Sequence, residues 1–129
     1  MARILIIDDD VELANHTALF LRQKGHVVTL LHTSENALPR IISDPPEIIL
    51  LDVMFPDNPV FGFDLARQIR RVKGLQKLPI ILLTSVNQQF PMDFSSKDID
   101  PDWMPVQDLL EKPVEPSVLL AKIDELLKR

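Results

Sequence analysis

An α/β fold, a parallel sheet with helices on both faces, is predicted by three features of the 129-residue sequence. Short apolar runs alternate with longer stretches of helical period about five times, at about 26 residues per unit. Among these runs the third, EIILL, is continuously apolar before Asp52, as expected of a strand buried on both faces. The runs also end in acids, hydroxyls or lysine. Such sheets have right-handed crossovers, and their ligand site lies beyond the carboxyl ends of the strands, where strand order reverses.

Residues 2–7 (ARILII) form the first strand, stopped by Asp8-Asp9-Asp10, which supply turn and N-cap chemistry. From Val11 to Lys24, the residues Val11, Ala14, Ala18 and Leu21 share one helical face, with Leu13 and Phe20 beside it. Gly25 stands where a helix C′ residue is expected, and His26–Leu31 (HVVTLL) is the second strand. A helix capped by Thr33 or Ser34 would run to about Ser43, with Pro39 breaking or kinking its middle. Pro45-Pro46 ends it, and Glu47–Leu51 (EIILL) is the third strand, followed by Asp52. A proline-bearing loop, 53–61, leads to a helix from about Gly62 to Val72, with Phe63, Ala66, Ile69 and Arg70 at helical spacing. Pro79–Thr84 (PIILLT) is the fourth strand and residues 106–110 (VQDLL) the fifth. Glu115–Leu127 is a terminal amphipathic helix carrying Val118, Leu119, Ala121, Ile123, Leu126 and Leu127, with Pro116 tolerated in its first turn. Between the fourth and fifth strands, residues 85–105 hold three prolines and no sustained apolar period, so no full helix is expected there.

Composition narrows the function. The length suits one domain, and a 46% hydrophobic content is too high for intrinsic disorder. No apolar run approaches the roughly 20 residues of a membrane span, and the run Ile4–Ile7 is too short for a signal peptide. The absence of Cys removes disulfides, thiolate metal sites and Cys nucleophiles, and suits a reducing, cytoplasmic setting. A net charge of −5 argues against direct nucleic-acid binding. None of His16, His26 and His32 shares metal-ligand spacing with another, and they are assigned no role.

In a parallel sheet the strand ends converge on one edge. Asp8, Asp9 and Asp10 follow the first strand, Asp52 the third, Thr84-Ser85 close the fourth and Lys112-Pro113 follow the fifth. Carboxylates brought together repel, so they either raise a pKa or hold a hard cation. Few carboxylates with room for waters and phosphate oxygens suit Mg²⁺. A carboxylate can itself be a nucleophile, forming an aspartyl-phosphate, with lysine and hydroxyl contacting the phosphoryl oxygens. Asp10 is also a natural helix cap.

The motifs ILIIDDD (4–10), LLDVMFP (50–56), LLTS (82–85) and EKPV (111–114) together resemble the receiver domain of two-component response regulators, over the whole chain. The resemblance implies a flavodoxin-like (βα)5 doubly wound parallel five-stranded sheet, with residues 1–129 forming one receiver domain, divergent at about 85–106. It implies that Asp52 accepts a phosphoryl group from the phosphohistidine of a histidine kinase or a phosphotransfer protein. Asp9, Asp52 and the backbone carbonyl of Met54 would bind Mg²⁺ directly, and Asp8 through a water. Thr84 would hydrogen-bond the phosphoryl oxygen and move with it, while Lys112 pairs with the phosphate. The domain would catalyse its own phosphorylation and dephosphorylation only, and would switch a surface read by a downstream protein.

Several positions depart from the family pattern. Gly62 lies ten residues after Asp52, further than the common spacing, so the loop MFPDNPVF is enlarged beside the site. The position that usually carries a switch aromatic, three before the lysine, is Leu109. Phe90, Phe94 and Trp103 lie in the long segment between Thr84 and Lys112, where they either take over a relocated switch or, as the favoured expectation, cover sheet surface left bare by a missing helix. Asp98, Asp100 and Asp102 alternate there, without the Gly and Glu of a Ca²⁺ loop, and read as a solvated acidic loop. Met54 and Val86 stand two positions beyond Asp52 and Thr84, where the family often places residues flanking the attacking water. Neither side chain can orient water, so slow loss of the phosphoryl group is expected.

Two other functions compete. A haloacid-dehalogenase-type phosphatase would use Asp8 as nucleophile in a D-x-D start, but it leaves Asp52 idle and finds Glu12 where a small or hydroxyl residue is usual. A receiver-fold binding module that no longer switches would suit Leu109, but not a complete acid, hydroxyl and lysine set.

Overall fold

The computed structural model describes residues 2–33, 36–52, 61–85, 108–112 and 114–128, with the backbone alone at 61–63, 84–85, 108–109 and 111–112. In chain order these are β1 (Arg3–Ile7), α1 (Val11–Gln23), β2 (Val27–Leu31), α2 (Ala37–Ser43), β3 (Ile48–Asp52), α3 (Phe61–Arg70), β4 (Ile80–Ser85), β5 (Asp108–Lys112) and α4 (Pro116–Leu127). The five strands form one sheet in the order β2-β1-β3-β4-β5, and every neighbouring pair is parallel.

Strand alternation divides the core in two. Leu5, Ile7, Ile49, Leu51, Ile80 and Leu82 pack with Ala37 and Ile41 of α2 and Leu65, Ala66 and Ile69 of α3. Their neighbours Ile4, Ile6, Ile48, Leu50, Ile81 and Leu83 pack on the other face with Ala14, Ala18 and Leu21 of α1 and Leu119, Ile123 and Leu126 of α4. All five residues of β3 are buried, which is why its sequence shows no polar alternation.

The helix ends follow the local sequence. Asp10 caps α1, its side chain accepting from Leu13 N. At the other end Gly25 takes φ +94° and donates to Arg22 O, while His26 donates to Leu21 O. This is the Schellman arrangement, which requires the left-handed residue that glycine supplies. α4 starts on Pro116, whose missing N–H falls at a position that needs no intrahelical partner.

Four expectations are corrected. α2 begins at Ala37, not at Thr33 or Ser34, and its N-cap is Asn36 at φ 61° with no side-chain bond. Pro39 therefore falls in the first turn, where no intrahelical N–H bond is required, and does not break the helix. β5 lies two residues later than VQDLL, at Asp108–Lys112, so Lys112 ends the strand and pairs in register with Ser85. On the helices, Val11 and Val118 are about half exposed; α1 and α4 bury narrower faces than their apolar content indicated. Lesser shifts of one or two residues place α3 at Phe61–Arg70 and leave His26, Glu47 and Pro79 just outside their strands. The expectations for the enlarged loop, for Met54 and Val86, and for Phe90, Phe94 and Trp103 lie outside the described residues.

Candidate functional site

From β1 the chain crosses to β2 on one side, and later to β3 on the other, so the strand order reverses between β1 and β3. At that point the carboxyl ends of two adjacent strands open a crevice. The chain leaves β1 into Asp8, and β3 ends on Asp52.

Asp8 is 2% exposed and Asp52 4%, the buried charged residues among those described. Asp9 is half-buried. Carboxylate oxygens of Asp8, Asp9 and Asp52 all lie within 4.8 Å of one another. Three anions this close are costly to fold around unless a cation joins them, because burial weakens solvent screening.

The three consecutive acids have separate tasks. The Asp8 N–H donates to Leu31 O at 2.9 Å, and its carbonyl accepts from His32 Nδ1 at 3.1 Å. Its Oδ1 accepts from the Asp10 backbone N–H at 2.9 Å. Asp10 turns away to cap α1, its Oδ1 accepting from Leu13 N at 3.1 Å. That leaves the carboxylates of Asp8 and Asp9 facing Asp52.

On the far side, the register places Asp52 opposite Leu83, so Thr84 stands one residue beyond the level of Asp52. Thr84 in turn pairs with Glu111 and Ser85 with Lys112. Asp8, Asp9, Asp52, Thr84 and Lys112 therefore occupy one edge of the sheet in backbone position, while Met54 lies outside the described residues.

A Mg²⁺ ion fits this donor set. Two oxygens bound directly to one ion stand at most about 4.2 Å apart, given Mg–O distances of about 2.1 Å. Carboxylate oxygens within 4.8 Å of one another can share one such ion, directly or through its waters, and Mg²⁺ favours few carboxylates with waters.

Spacing in the sequence gave no sign of the histidine bonds. His26 Nδ1 accepts from Ala2 N at 3.1 Å, and His32 contacts Asp8. The signal that would have located His32 is the parallel pairing of β1 with β2, which sets the residue after β2 beside the residue after β1.

A doubly wound parallel sheet with buried acids clustered at its switch point defines an α/β domain with a carboxylate site at the sheet edge. The family model of the response regulator receiver domain matches residues 4–124, and the chain belongs to that family. It is 33% identical over 129 residues to the transcriptional regulatory protein AfsQ1 of Streptomyces coelicolor, covering 100% of this chain and 52% of that one. It is 34% identical over 127 residues to the response regulator MprA of Mycobacterium ulcerans, covering 98% and 50%. The chain thus spans about half the length of these relatives. A two-component response regulator from Clostridium difficile superposes with a TM-score of 0.79 at 28% identity, over 100% of this chain and 98% of that one. The fold is flavodoxin-like, and the chain is a receiver domain of the two-component type, whose members take their signal from histidine kinases. Nothing in these likenesses favours the phosphatase or the non-switching module, and the capping role of Asp10 removes the second acid of the D-x-D reading. No helix among the described residues is long and apolar enough to cross a membrane.

Proposed function

We propose that Asp52 is the phosphoacceptor, that Asp8, Asp9 and Asp52, with the Met54 carbonyl, hold Mg²⁺, and that Thr84 and Lys112 act on the phosphoryl group. The observation that carries this reading is the convergence of three carboxylates within 4.8 Å at the switch point. A carboxylate oxygen of Asp52 attacks phosphorus, the P–N bond of the donor phosphohistidine breaks, and the imidazole leaves with the electron pair. Mg²⁺ supplies charge neutralisation for the phosphoryl oxygens. Asp8 and Asp9 keep the cation beside Asp52, and burial of Asp52 excludes competing water. Lys112 offers positive charge where negative charge accumulates, and the Thr84 hydroxyl a donor.

The donor is a sensor histidine kinase or a phosphotransfer protein, and the output is a change of surface read by another protein. The reading treats residues 1–129 as one receiver domain, divergent at about 85–106, that catalyses its own phosphorylation and dephosphorylation in the cytoplasm. A surplus of acids over bases supports a protein-facing output, without direct nucleic-acid binding or membrane insertion by this domain. Amide spectra recorded with Mg²⁺ alone and with Mg²⁺ plus beryllium fluoride test it. Shifts that spread from Asp52 to elements away from the pocket are expected. Shifts confined to the pocket would leave a fold that binds without switching.

A further inference from the structure

We propose that His32 is a positioning residue for the carboxylate pocket, an inference that rests on the Mg²⁺-binding reading of Asp8, Asp9 and Asp52. The last register pair of β1 and β2 is Ile7 with Leu31. Beyond it one backbone bond between the strand exits remains, Asp8 N–H to Leu31 O, and this is where Asp9 must be aimed at Asp52. The His32 ring supplies a donor at that point, 3.1 Å from the Asp8 carbonyl oxygen. That oxygen belongs to the peptide plane joining Asp8 to Asp9, so fixing it sets the direction in which the Asp9 side chain leaves the backbone.

Asp8 is thereby held through three different groups: its N–H by Leu31 O, its carbonyl by His32 and its Oδ1 by the Asp10 N–H. Asp9, the half-buried member of the trio, takes its aim from the plane before it. A carbonyl can only accept, so His32 Nδ1 carries a proton. His26 has the opposite arrangement: its Nδ1 accepts from Ala2 N–H, which places the proton of the neutral ring on Nε2. The two imidazoles therefore differ in tautomer for reasons read directly from their partners.

Four variants and a spectrum separate positioning from mere support. Asn places its amide nitrogen close to where Nδ1 stands, and Gln close to Nε2. Titration of the protein with MgCl₂ by calorimetry is expected to show weakening of about three- to tenfold for His32→Ala and His32→Gln, and near-native affinity for His32→Asn. His26→Gln serves as the control and leaves Mg²⁺ affinity unchanged. In native protein, imidazole ¹⁵N spectra are expected to show His32 protonated at Nδ1 and neutral His26 at Nε2. Wild-type binding with all His32 variants unchanged, rescue by Gln as good as by Asn, or an Nε2–H tautomer at His32 would each overturn the positioning role alone. A wild-type chain that does not bind Mg²⁺ would overturn the phosphoacceptor reading together with it.

Discussion

Replacing Asp52 by Asn is expected to make the metal-free protein more stable. Its carboxylate lies within 4.8 Å of those of Asp8 and Asp9. At an effective dielectric of about 20, two unit charges about 4.8 Å apart repel by about 3.5 kcal/mol. The Asp9 pair is discounted, because Asp9 is half-exposed and solvent and salt screen it. Asp8 and Asp52 are both buried, so their repulsion survives more fully. A net gain of about 1–3 kcal/mol is expected, raising Tm by about 3–5 °C for each kcal/mol in a domain of this size. Mg²⁺ changes the order. At about a hundredfold excess over its Kd the ion adds about 2.7 kcal/mol to the wild type, and less to a variant that has lost one anionic ligand. Thermal and urea unfolding in EDTA and in MgCl₂ measure both halves. An Asp52→Asn protein no more stable than wild type in EDTA would refute the electrostatic reasoning.

Other perturbations test separate parts of the structure. Leu50→Ala removes a fully buried side chain from the central strand and is expected to cost about 2–5 kcal/mol, read as a lower urea midpoint. Asp10→Ala loses the α1 cap at about 1 kcal/mol but leaves its backbone N–H on Asp8, so Mg²⁺ affinity should persist; loss of phosphorylation there would revive the D-x-D phosphatase. Because Met54 and Val86 cannot orient water, the acyl phosphate should outlast many minutes in Mg²⁺ buffer, and decay within seconds by radiolabel release would count against that.

Much of the architecture is legible in the residues themselves. Ile4–Ile7 and Ile48–Leu51 are uninterrupted apolar runs because both of their faces are covered, and Asp8 and Asp52 mark where the apolar run ends although the burial continues. Position after position, the carboxylates of the site follow from this. Less legible is anything decided by one turn of backbone. Pro39 looks like a helix breaker until the helix is seen to begin at Ala37, a start set by a left-handed Asn36 with no side-chain cap to announce it. The two-residue displacement of β5 has a similar origin, since VQDLL and DLLEK are both plausible short strands and register against β4 decides between them. His32 is silent in sequence because its partner is a backbone carbonyl in another strand's exit, and backbone groups leave no residue signature.

Site mapping of the phosphoryl group tests the central claim most directly. The protein is incubated with acetyl phosphate and Mg²⁺, the acyl phosphate is trapped by borohydride reduction, and the labelled residue is located by peptide mass spectrometry. Modification at Asp52, dependent on Mg²⁺ and abolished in Asp52→Ala, is the predicted result. Stable labelling at Asp8, or labelling that persists in Asp52→Ala, would contradict it.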